Sequence, residues 1–115
     1  MRKTVLLIED DPGIMMCLKT IFSGLGWDMV FAETSAEVSE RSKLVDLVVS
    51  DYNVPGVQFE ETRAVCEQLG KPLILQSGNM DVAYHPKLMK PWSISELVRL
   101  VTSITQTGFH PVAML

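Results

Sequence analysis

The chain has two cysteines, no cluster of Lys and Arg, no long apolar run and no glycine-rich phosphate loop. Each absence excludes something. Cys17 and Cys66 both sit inside helix-like patterns and give no scaffold of bridges, so the default compartment is the cytoplasm. Ten Lys and Arg against fourteen Asp and Glu leave a formal charge of −4. Binding to nucleic acid rests on neutralising phosphates, and this balance argues against it. Apolar stretches such as Val5-Leu6-Leu7-Ile8 are too short for a bilayer, which excludes membrane insertion. Met1-Arg2-Lys3 looks like the basic start of a signal peptide, but the apolar stretch after it ends at Glu9-Asp10-Asp11, too early for an h-region. Without Gly-x-Gly-x-x-Gly or a Walker-type loop, a cradled nucleotide is not expected. His85 and His110 have no partners at metal-ligand spacing and read as surface loop residues. The seven methionines read as core gap-fillers.

What is present is the pattern of one globular domain. At 115 residues, 47% hydrophobic and 21% charged, the chain is long enough to bury roughly two-thirds of its unfolded surface. Thr4 to Ile8 is a continuous apolar run, the mark of a strand covered on both faces. Pro12 suits a first helical turn. Ile14, Cys17, Leu18, Ile21, Phe22 and Leu25 then recur at helical spacing until Gly24 and Gly26 stop them. Trp27 to Phe31 is a second strand, and Thr34 with Glu37 is a capping box for a short helix to about Ser42. Val45 to Ser50 is a third strand, closed by Asp51 and the turn-rich Asn53-Val54-Pro55-Gly56. Phe59 to Leu69 is a helix, Pro72 to Gln76 a fourth strand and Lys87 to Met89 a brief fifth. Ser93 and Glu96 cap a last helix bearing Ile94, Leu97, Val98, Val101 and Ile104. The domain is expected over 1–106, with a loose tail over 107–115.

Strands alternating with helices imply an α/β fold with a parallel sheet and helices on both faces. Such sheets place their ligands outside the carboxyl ends of the strands. There the chain puts Glu9-Asp10-Asp11, Ser50-Asp51, Ser77-Gly78-Asn79 and Lys90-Pro91. One acidic residue at a strand end is usually a helix cap, the reading for Asp11 alone; a lone Lys-Pro is usually a turn. Four polar groups, each ending a different apolar run, suggest more. If the first and third strands are neighbours, several carboxylates converge, and a hard, oxygen-only cluster favours a divalent ion such as Mg²⁺. Mg²⁺ recruits phosphate oxygens, which the Lys90 ammonium and the Ser77 hydroxyl are suited to hold. A carboxylate in such a site can act as nucleophile and form an aspartyl phosphate.

At these residues the chain resembles the receiver domain of a bacterial two-component response regulator, over roughly Lys3 to Gln106. The resemblance rests on Val5-Leu-Leu-Ile-Glu-Asp-Asp-Pro-Gly-Ile14, Asp46-Leu-Val-Val-Ser-Asp-Tyr-Asn-Val-Pro-Gly56 and Leu88-Met-Lys-Pro91, in that order and spacing. It implies a flavodoxin/receiver-like, five-stranded parallel sheet of order 2-1-3-4-5. It further implies Asp51 as phosphoacceptor, and Glu9, Asp10, Asp51 and the backbone carbonyl of Asn53 as Mg²⁺ ligands. Ser77 and Lys90 become phosphate-binding or switch groups, supported by Gly78 and by Pro91, whose bond to Lys90 is usually cis. The implied partner is a sensor histidine kinase or phosphotransfer protein, with a downstream protein target beyond it. The implied chemistry is that of an acceptor with slow autodephosphorylation, not of a multi-substrate enzyme.

Two departures from the pattern stand out. Positions 78 to 89 leave only twelve residues between Ser77 and Lys90. A crossover helix of about 11 residues, a strand of about 5 and two connections do not fit. The fourth helix is therefore expected to be absent or very short, as in a short, mostly stand-alone subgroup with a Phe-Ala-Thr-Gly-like motif, matched here partially by Leu75-Gln-Ser-Gly78. The segment 78–86 is expected to be a contact-poor loop of low stability, ordered by Mg²⁺ and phosphate through Ser77. Second, the family's switch aromatic position holds Lys87. With nine residues after the last helix, a module without an output domain is expected. The alternative is a phosphorylation-independent interaction module of the same fold. An FMN-binding flavodoxin-like carrier would meet phosphate repulsion at Glu9-Asp10-Asp11, and a haloacid-dehalogenase-type phosphatase needs acids spaced by one residue after the first strand.

Overall fold

Apolar residues in the strands alternate between two cores, and this alternation sets the architecture. A computed structural model describes residues 2–78 and 82–107. Its elements are β1 (Thr4–Ile8), α1 (Pro12–Gly24), β2 (Asp28–Phe31), α2 (Ser35–Arg41), a 3-10 turn (Ser42–Leu44), β3 (Leu47–Asp51), β4 (Asn53–Val54), β5 (Val57–Gln58), α3 (Phe59–Leu69), β6 (Leu73–Ser77), β7 (Lys87–Met89) and α4 (Ile94–Thr107). Five strands form one parallel sheet in the order β2-β1-β3-β6-β7. This is the expected 2-1-3-4-5 order, with β6 and β7 as the fourth and fifth sheet strands.

Val5, Leu7, Leu47, Val49, Ile74 and Leu88 face one core with Leu18, Ile21 and Phe22 of α1 and Leu97, Val101 and Ile104 of α4. Leu6, Ile8, Val48, Leu73 and Leu75 face the other, with Val38 of α2 and Phe59 and Cys66 of α3. Both faces are covered, so the strands are apolar throughout rather than alternating with polar residues. The expected caps are in place. Asp11 accepts from the N–H of Ile14 (3.0 Å), Thr34 from Glu37 (3.1 Å) and Ser93 from Glu96 (3.1 Å). Gly70 ends α3 at φ 68°.

Four details differ from the sequence reading. Met16 is 69% exposed, so it fills no gap. The third strand begins at Leu47 rather than Val45 and takes in Asp51. The turn over 53–56 is a small antiparallel hairpin, β4–β5, with Pro55 leading Gly56 at φ 85°, the pattern of a type II turn. A Cβ on Gly56 would lie 2.8 Å from the carbonyl oxygen of Glu33. Ser35 donates its N–H to the Gly56 carbonyl (3.0 Å) and accepts the Gln58 N–H on its hydroxyl (3.0 Å), stitching the hairpin to α2.

The fourth difference is the segment before β7. Its described residues, Gly78 and 82–86, are not helical, in line with a missing fourth helix; 79–81 lie outside the described residues. They are not contact-poor, however. Tyr84 is buried, donates its hydroxyl to the Leu73 carbonyl (3.1 Å) and meets Phe59 edge-on at 5.6 Å. Lys87 donates to the Val82 carbonyl at 2.8 Å. An aromatic anchor inserted without periodicity left no pattern to read. His85 is exposed as expected, whereas His110 and the expected tail, past Thr107, lie outside the described residues. Among the described residues no helix is long and apolar enough to cross a membrane.

Candidate functional site

The two-residue period of the strands carries the site. Continuing the face of Val5 and Leu7 leads to Glu9, that of Leu47 and Val49 to Asp51, that of Ile74 to Gln76 and that of Leu88 to Lys90. Asp51 and Gln76 are direct neighbours in register on β3 and β6, and Ile8 pairs with Ser50 just before Glu9 and Asp51. All four side chains thus belong to the face that packs α1 and α4, at the carboxyl edge of the sheet.

Their contacts are direct. The Lys90 ammonium lies 3.1 Å from Asp51 Oδ1 and 3.3 Å from Glu9 Oε1. Glu9 has its side chain fully buried. Its Oε2 accepts the N–H groups of Asp10 and Asp11, both at 3.0 Å, and its Oε1 accepts Gln76 Nε2 at 3.1 Å as well as Lys90. Burial pushes the Glu9 carboxyl above its usual range; the Asp11 N–H and Lys90 work against this, and the neighbouring Asp51 adds to it. Burial also disfavours the Lys90 ammonium, but the hydrogen bond to Asp51 and the charges of Asp51 and Glu9 outweigh it, so its pKa ends above the ordinary value. Asp51 Oδ1 accepts the Tyr52 N–H at 2.8 Å.

Carboxylate oxygens of Glu9, Asp10 and Asp51 lie within 4.8 Å of one another. All three are hard donors, and Asp10 is exposed, so the set suits a small divalent cation with water in its shell. Asn53 lines a cleft together with Asp10, Tyr52 and the β4–β5 hairpin. Ser77 ends β6, buried, and its carbonyl accepts the Lys90 N–H at 2.9 Å. Gly78 and Pro91 are exposed, and the Lys90–Pro91 bond is cis. The structure therefore gathers Glu9, Asp10, Asp51 and Lys90 around one point, with Asn53 and Ser77 at the flanks.

Two neighbours escaped the sequence reading. Gln76 is fully buried and accepts the indole N–H of Trp92 at 2.8 Å while donating to Glu9. An amide closing an otherwise apolar, two-face-buried strand was the available signal, because buried amides need partners.

The 2-1-3-4-5 sheet with its flanking helices matches solved structures over most of the chain. A signal receiver domain of an HD domain-containing protein from Pseudomonas fluorescens Pf-5 superposes with a TM-score of 0.80 at 22% identity, covering 92% of this chain and 96% of that one. The receiver domain of sensor histidine kinase PA1611 from Pseudomonas aeruginosa PAO1, described with a magnesium ion coordinated in its active site cleft, gives 0.78 at 16% identity over 90% and 97%. The chain has the fold of a receiver domain. No family model matches it. In sequence the chain is similar to curated response regulators, among them the DNA-binding response regulator MtrA of Mycolicibacterium smegmatis, 25% identical over all of this chain. The chain spans 56% of that relative's length.

Proposed function

We propose that this receiver domain accepts a phosphoryl group on Asp51 from a phosphohistidine of a sensor histidine kinase or phosphotransfer protein, in a Mg²⁺-dependent phosphorelay. The observation that carries the reading is the approach of Glu9, Asp10 and Asp51 oxygens to within 4.8 Å, with Lys90 only 3.1 Å from the central carboxylate. Asp10 and Asp51, with the Asn53 carbonyl, would hold Mg²⁺, and Glu9, whose oxygens are already engaged by four donors, would support the site from behind. Mg²⁺ bound there would supply positive charge against the phosphoryl oxygens.

The residues of the chain do the rest. An Asp51 oxygen attacks phosphorus, the bond from phosphorus to the imidazole nitrogen breaks, and the imidazole leaves with the electron pair. Lys90 offers its ammonium to the transferring group, and Ser77 stands at the end of β6 to hold another oxygen. Water later hydrolyses the acyl phosphate. A downstream protein would read the phosphorylated state. Incubation with Mg²⁺ and a small acyl phosphate, followed by intact-mass spectrometry, is expected to add one phosphoryl group to the wild type and none to Asp51→Asn. Equal labelling of Asp51→Asn would overturn the assignment, and Mg²⁺ affinity unchanged in Asp10→Ala would overturn the ligand set.

A further inference from the structure

A hydrogen-bonded chain leaves the site through its floor. Trp92 Nε1 donates to Gln76 Oε1 at 2.8 Å, and Gln76 Nε2 donates to Glu9 Oε1 at 3.1 Å. Its polarity is forced at both ends. Indole nitrogen only donates and an ionised carboxylate only accepts, so the amide between them has one workable orientation. Residue choice is equally restricted. Leu or Met would leave the indole without an acceptor and Glu9 Oε1 with Lys90 alone, Glu would set a second carboxylate on Glu9, and Lys has nothing to accept from the indole. Gln76 shows no exposed surface, so each lost link leaves a polar group dry. At the outer end, Trp92 lines a groove of about 420 Å³ with Ile14, Cys17, Pro91 and Ile94.

We propose that Gln76 is a positioning residue that fixes the Glu9 carboxylate for the cation and couples the state of the site to the indole of Trp92. The Mg²⁺ part rests on the function proposed above; the coupling part does not. A cation held by Asp10 and Asp51 in front of Glu9 changes the charge this carboxylate faces, and with it the acceptor offered to Gln76. The amide then shifts its hold on Trp92, which sits at the entry to α4 and walls the groove.

Two arms test this, both followed in ¹H–¹⁵N NMR spectra, where the Trp92 indole peak is assigned by its loss in Trp92→Phe. In the absence of metal, Glu9→Ala is expected to shift the indole peak when position 76 is Gln, and not when it is Met. An indole peak that ignores Glu9→Ala, or moves equally in both backgrounds, overturns the coupling whether or not Asp51 is ever phosphorylated. With MgCl₂, wild type is expected to move the Trp92 indole and the Asp10 and Asp11 amides with one midpoint. Gln76→Met should weaken Mg²⁺ about tenfold, the lower end of what losing an outer partner costs a metal site. Unchanged affinity overturns the positioning role. Should Gln76→Met fail to fold, Trp92→Phe substitutes at the half-buried end. Weaker Mg²⁺ binding there supports the chain, and equal binding overturns it. Absent labelling of Asp51 with intact indole coupling would instead refute the phosphorelay reading alone.

Discussion

Replacing Lys90 with Met keeps an unbranched side chain, one atom shorter, and removes its charge. In the protein without metal, Lys90 is the counterion of two carboxylates, at 3.1 Å from Asp51 and 3.3 Å from Glu9. At an effective dielectric of ~20, the closer contact alone corresponds to roughly 5 kcal/mol of Coulomb attraction. The net loss is smaller, because Lys90 keeps 23% of its side chain accessible and water screens part of the charge. Its burial also carried a desolvation cost, which the substitution removes. We expect a net destabilisation of about 2 kcal/mol at neutral pH. At this chain length that lowers the melting temperature by about 6–10 °C. Mg²⁺ should bind the variant more tightly, since no internal cation competes for the carboxylates. A tenfold gain is about 1.4 kcal/mol, so at a shared, saturating Mg²⁺ concentration the gap between the two melting curves should narrow by that amount. Circular-dichroism melts in EDTA and in MgCl₂ measure both effects. Equal melting temperatures in EDTA, or a gap that widens with Mg²⁺, would refute the reasoning.

Three further outcomes are expected. Gly56→Ala should cost about 2–3 kcal/mol, because φ 85° strains an L-residue and its Cβ would press on the Glu33 carbonyl; a urea midpoint equal to wild type would refute it. Tyr84→Phe keeps the edge-on contact with Phe59 but strands the buried Leu73 carbonyl, so urea denaturation should show a loss of about 1–2 kcal/mol. Glu37 has its pKa lowered, chiefly by the N–H of Glu33. Its contribution is therefore complete above the ordinary carboxylate value and disappears as pH falls through the lowered one. The stability advantage of wild type over Glu37→Gln should vanish in acid, and an advantage that persists there would contradict the assignment.

Much of this arrangement was legible because the strands are buried on both faces. Continuous runs such as Val5 to Ile8 and Leu47 to Val49 stand out, and the residues that end them, Glu9, Asp51 and Lys90, meet in the structure. Caps were readable for a similar reason, since Thr34 and Glu37 act within one helical turn. What escaped was tertiary and aperiodic. The β4–β5 hairpin has two residues per arm, too few for an alternation to register. Tyr84 fills a gap beside Phe59 from a segment with no regular structure, so its burial depends on distant partners. Gln76 needed the register of β3 against β6 and the position of Trp92, which no local spacing encodes.

The stitch between the hairpin and α2 has a consequence for how this chain tolerates length changes. Residues 52–58 join the site-facing strand β3 to α3, and their far side is pinned by Ser35 at Gly56 and Gln58, with the Glu33 carbonyl close against Gly56. The segment is thus a spacer anchored at three points rather than a free loop. An inserted residue on the Asn53 side would move the rim of the cleft, and one on the Gln58 side would misalign the start of α3. Neither slack can be absorbed at Gly56, where the backbone already touches its neighbour. Insertions here should disable the cleft even where the sheet survives, which makes 52–58 a poor place for a tag or graft.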